Sequence, residues 1–134
     1  MRLLLLFLLL LASPASAPPA SAQRAPGPHD GVYEGVRFQE CRQGGRVRQE
    51  RLAAEVRGRE MLIPGLPGDP VLVATLDANA AVTLPPLGAF GAGRGQIFVG
   101  NNNARRFTGS HPGRGGCVTR YDLLRVGPLP RGRG

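Results

Sequence analysis

"RVRQERLAAEVRGRE", residues 46–60, is the stretch on which the fold class turns. Its Glu, Arg, Ala and Leu give it the best helix propensity in the chain. A helical stripe through Val47 would need apolar residues at positions 50 and 51, which are Glu50 and Arg51. Period two fits instead, because Leu52, Ala54 and Val56 alternate with Ala53, Glu55 and Arg57. We read a strand here, with Arg57-Gly58-Arg59 turning into "EMLIPG". The interleaving of Arg with Glu makes it a mixed-charge face and not a basic patch.

Working outward, short apolar runs and alternation recur on both sides. "GVYEGVRFQEC" (31–41) puts Val32, Glu34, Val36 and Phe38 on one parity and Tyr33, Gly35 and Arg37 on the other. "PVLVATLD" (70–77) and "ANAAVTL" (78–84) flank turn chemistry at Asp77 to Asn79. "GQIFVG" (95–100) and "ARRFTGS" (104–110) flank Asn101-Asn102-Asn103, and Asn tolerates left-handed backbone angles. "CVTRYDLLRV" (117–126) closes the series, with Cys117, Thr119, Tyr121, Leu123 and Arg125 on one parity. Neither parity of that strand is uniformly apolar, and a bulge near Asp122 would let Leu123 and Leu124 both find cover. "PGLPGDP" (64–70) and "LGAFGAGRG" (87–95) read as loops. About seven or eight short strands joined by turns predict an all-β fold, a small antiparallel sandwich or barrel.

The ends place the domain. "MRLLLLFLLLLASPASAPPASA" (1–22) has a positive Arg2, an apolar run over residues 3–12 and a small-residue stretch ending in Ala20-Ser21-Ala22. That run spans roughly 15 Å as a helix, half of a hydrocarbon core, so it reads as a signal peptide cleaved near Ala22. No other stretch approaches a membrane span. Residues 23–29 and 127–134 read as flexible leader and tail, leaving a β domain over 30–126. The expected location is the periplasm or the exterior, and the expected state a monomer. In that oxidising compartment Cys41 and Cys117, the two cysteines of the chain, are expected to pair.

All 17 basic residues are arginine, against 9 acidic ones, for a net charge of +8. Such a charge favours anionic partners, although the arginines are dispersed among glutamates. Arg105-Arg106-Phe107 could stack bases, but nucleic-acid binders need several exposed aromatics in a basic groove, and this chain has no Trp. Phe107 is expected inside with Arg106 outside, and nucleic acid is not an expected partner.

The remaining motifs carry no chemistry. Gly91-Ala92-Gly93-Arg94-Gly95 precedes a strand where a nucleotide loop needs a helix, so it reads as a turn. Ser110 and His111 are neighbours on an extended chain and face opposite ways, which disfavours a nucleophile and its base. His29 and His111 belong to no ligand-spaced set, Asp77-Ala78-Asn79 lacks the rest of a calcium loop, and Glu50 and Glu55 carry no burial signal. No catalytic, cofactor or metal site is expected. The expected function is that of an exported binding or accessory protein of the envelope, acting on an anionic component or a protein. The alternatives are an inhibitor of an exogenous enzyme and, behind it, a small hydrolase using His111. Contact residues would lie on the loops 64–70, 87–95 and 110–116.

Gly31, Tyr33, Gly35 and Cys41 at the opening, with Cys117, Tyr121, Leu123 and Arg125 at the close, resemble a group of small secreted proteobacterial β proteins. The resemblance spans about 31–126 and implies a β fold and export, with no activity attached.

Overall fold

The computed structural model describes residues 25–42 and 48–132; the expected signal peptide and its expected cleavage point near Ala22 fall outside the described residues, as do residues 43–47. Eight strands make one closed antiparallel barrel: β1 (Gly31–Cys41), β2 (Arg48–Arg57), β3 (Glu60–Ile63), β4 (Leu72–Leu76), β5 (Ala81–Leu84), β6 (Gly93–Val99), β7 (Arg105–Pro112) and β8 (Cys117–Gly127). Each strand pairs with the next, and β8 returns to β1. Each strand is paired on both sides, so the sheet closes on itself, although the β2–β3 ladder covers only Glu55 to Arg57. Cys41 and Cys117 face each other in the β1–β8 register with Cα atoms 4.0 Å apart, and a disulfide joins them. The bond staples the strand pair that closes the barrel.

Residues 46–60 settle as the strand β2 plus a tight turn. Gly58 supplies the positive φ (61°) that this short connection needs before β3. The 77–80 turn is held by the Asp77 carboxylate, which accepts from the backbone N–H groups of Asn79 (2.8 Å) and Ala81 (3.0 Å). Asn102 and Asn103 adopt left-handed angles between β6 and β7.

An eight-stranded barrel has an interior just wide enough to be filled by side chains. Here Tyr33, Val56, Met61, Ile63, Leu84, Phe107 and Leu123 fill it. The inward parity of β1 is therefore Tyr33, Gly35 and Arg37, and that of β8 is Thr119, Tyr121 and Leu123. The Phe107 ring needs special room. A Cβ on Gly95 would meet it at 2.5 Å, and one on Gly109 at 2.7 Å, so only glycine fits at both neighbours. Phe107 is fully buried while Arg106 lies outside, where it donates to Asp122.

Three expectations need correction. The irregularity between β1 and β8 falls at Val32/Tyr33, opposite Val126, and not near Asp122. Leu124 consequently stays outside, 54% exposed. Gly93 to Gly95 begin β6, and Ser110 to Pro112 end β7, so the loops there are shorter than 87–95 and 110–116. The last strand runs to Gly127, one residue past the expected boundary.

Candidate binding site at the loop end of the barrel

The meander sorts its connections onto two ends. One end carries the short turns at 58–59, 77–80 and 100–104. The other carries the disulfide and the connections 64–71, 85–92 and 113–116. The three loops proposed as contact segments thus converge at one end.

Loop 85–92 folds back as a miniature hairpin. Leu87 and Phe90 exchange backbone hydrogen bonds (3.0 and 2.9 Å), and Gly88 turns between them with φ 56°. This places the Phe90 ring in the barrel mouth, parallel to His111 with centroids 4.3 Å apart. Gly91 N–H donates to the Pro112 carbonyl (2.7 Å) and ties the loop to β7.

Beneath Phe90 the barrel interior turns polar. Arg37 is only 4% exposed, yet its guanidinium is well satisfied. Nε donates to Glu50 Oε1 (2.6 Å), Nη1 to the Pro64 carbonyl (2.7 Å) and Nη2 to the Gly65 carbonyl (3.2 Å). Nη2 also lies 2.6 Å from Glu50 Oε1. A buried arginine is tolerable only with a counter-ion and acceptors of this kind. Arg37 and Glu50 sit directly opposite in the β1–β2 register, so the inward parity of two adjacent strands delivers the pair. Arg37 therefore also pins the start of loop 64–71.

Under the Phe90 ring, His111 is 1% exposed and its Nε2 lies 2.8 Å from the Tyr121 hydroxyl. Burial lowers the His111 pKa to about 4; the Gly91 backbone pulls the other way, and the Arg37 charge adds to the lowering. Nδ1 makes no well-formed hydrogen bond. Burial likewise raises the Tyr121 pKa, so the pair is a neutral imidazole and a neutral phenol.

A cavity of about 110 Å³ opens between the loops. Arg37 and Glu50 form part of its wall, with Leu66 from loop 64–71, Phe90 from loop 85–92, Arg114 from loop 113–116 and Arg48 from the start of β2. Gln39 and Thr119 complete it.

Other residues singled out from the sequence are dispersed. Ser110 stands on the outer surface between Arg94 and Arg120, on the opposite side of the sheet from His111. His29 lies at the turn end, where its carbonyl accepts from the Tyr33 hydroxyl (2.8 Å). Glu50 points inward and Glu55 outward to Arg57. Among the described residues, no group of three or more His, Cys, Asp or Glu gathers as metal ligands would. The lining residues Arg37, Arg48, Glu50, Phe90, Arg114 and Thr119 carried no motif; the one sequence signal was Arg37 and Glu50 each on the parity of apolar neighbours. Among the described residues, no helix is long and apolar enough to cross a membrane. Comparison with family models, curated proteins and solved structures finds no match.

Proposed function

We propose that this chain, exported after cleavage near Ala22, is an envelope binding protein that engages a partner through the loop end of its barrel. The observation that carries this reading is the meeting of three loops around one charged cavity, above an interior already filled. Volume argues about the partner. Pockets that enclose small molecules measure ~300–1,000 Å³, whereas this cavity measures about 110 Å³. It suits a group projecting from a larger molecule, not an enclosed ligand. Loops held in place before contact also lose less freedom on binding. The pinned hairpin at 85–92 serves equally well in an inhibitor of an exogenous enzyme, the second form of this reading.

A photo-crosslinking residue at Pro67, exposed on a loop, is compared with one at Asn79, exposed at the turn end, in the native envelope. Adducts are expected from position 67 and not from 79. Adducts from 79 alone, or equally from both, would overturn the assignment of the binding end. Where the captured partner is an enzyme, loss of its activity on titration identifies the inhibitor form.

A further inference from the structure

We propose that the mouth cavity is a receptor for one carboxylate-bearing side chain, a Glu or Asp presented on a loop of a partner protein; this rests on the loop end being the binding end.

Charge comes first. Among the lining residues three arginines face one glutamate. Glu50 is committed to Arg37. Arg48 and Arg114 are exposed on the rim and belong to none of the ion pairs among the described residues. Two such arginines lining one small cavity suit an anion, because a guanidinium presents a planar fork of donors that matches a carboxylate.

Size and shape come next. At ~30 Å³ for each water, a cavity of 110 Å³ holds three or four waters, or a carboxylate with its adjoining methylenes. The wall supplies surfaces for both parts. Phe90 and Leu66 offer apolar contact to a methylene stem, while Gln39 and Thr119 add neutral polar groups beside the arginines.

Glu50 adds to the balance of charge. Its side chain is 32% exposed and contributes to the cavity wall, so an incoming anion meets a carboxylate as well as the arginines. A dianionic phosphate doubles the repulsion and the attraction alike, so charge does not separate the two anions. A guanidinium fork suits either, but the carboxylate of a Glu or Asp side chain also brings a methylene stem for Phe90 and Leu66.

The test is an NMR titration of the ¹⁵N-labelled, oxidised protein with N-acetyl-glutamate methylamide. The controls are N-acetyl-glutamine methylamide, the neutral analogue of the same shape, and glucose 1-phosphate as the glycan-phosphate probe. Expected are saturable shifts confined to Gln39, Arg48, Phe90, Arg114 and Thr119, at least tenfold weaker for the glutamine probe. Arg48→Gln and Arg114→Gln should each weaken the glutamate probe at least threefold, while the rest of the spectrum certifies the fold. Equal response to the glutamine probe, tighter binding of glucose 1-phosphate, or shifts spread over all surface arginines would each overturn the proposal. Failure here alongside crosslinking from Pro67 leaves the binding end standing and removes the carboxylate receptor alone.

Discussion

Replacing His111 by glutamine should remove that residue's share of the stability the barrel is expected to lose as the pH falls from 6.5 to about 4. The groups facing the imidazole are Phe90 and Gly91 from loop 85–92, Tyr121 and Thr119 from β8, Gly93 from β6 and the Arg37 guanidinium from β1. Among the described residues lining the adjoining cavity, the one carboxylate, Glu50, is held by Arg37. The folded protein therefore resists the proton, while the unfolded chain takes it up near the ordinary value of 6.5. Unfolding absorbs a proton between those two values, so stability is full above pH 6.5 and falls as the pH descends toward 4. A difference of about 2.5 units at ~1.36 kcal/mol each sets a ceiling of about 3 kcal/mol lost by pH 4. That is a large share of the ~5–15 kcal/mol that holds a typical domain together.

Urea unfolding at several pH values between 7.5 and 4 measures this directly. His29 also titrates low, through burial and then the Arg105 charge, so the comparison belongs in a His29→Gln background. There the His111→Gln variant should start less stable, having lost its ring stack, yet show a flatter profile by about 2–3 kcal/mol across the window. Parallel profiles with and without His111 would refute the reasoning, because the acid loss would then belong to other groups.

Two further outcomes follow from the staple and the buried ion pair. The Cys41→Ser/Cys117→Ser variant should lose about 4 kcal/mol in urea unfolding, the loop-entropy value for cysteines 76 positions apart; a loss under ~1 kcal/mol would mean that β1 and β8 already associate in the unfolded chain. Arg37→Met strands the Glu50 carboxylate and two backbone acceptors, for a loss of about 3 kcal/mol. Adding Glu50→Leu should recover much of it, and an additive double-mutant cycle would show that the pair is not coupled.

Much of the architecture was legible because β structure leaves a period-two trace. The failure of the helical stripe at Glu50 and Arg51 identified β2, and the Asp77 and Asn101–Asn103 turns fell where they were expected. The parity of each strand was also legible, but not which parity is inside. In β8 the competing faces were Thr119, Tyr121 and Leu123 against Arg120, Asp122 and Leu124, with one leucine and similar polarity on each. Closure decides between them. Tyr121 and Thr119 go inside because a buried hydroxyl can find a partner, as Tyr121 does in His111, whereas Asp122 finds Arg106 on the outer surface. That partner lies on a neighbouring strand, and no window of local sequence contains it.

The candidate site was half legible for the same reason. Proline and glycine marked the segments that became its loops, but only the ring order of the strands brings those segments to one end. In a meander, connections alternate between the two ends. Among the described residues, the odd-to-even connections β3–β4, β5–β6 and β7–β8 share the end where Cys41 and Cys117 meet. They are the 64–71, 85–92 and 113–116 segments. A polar interior then has to lie at that end, since Arg37, four residues from Cys41 on the same parity, is directed beneath those loops. Once Arg37 is inside, its charge must be balanced by the residue across the ladder, and Glu50 is that residue. With its one lining carboxylate so committed, the cavity is left with the charge of Arg48 and Arg114, and an acidic partner group becomes the economical complement.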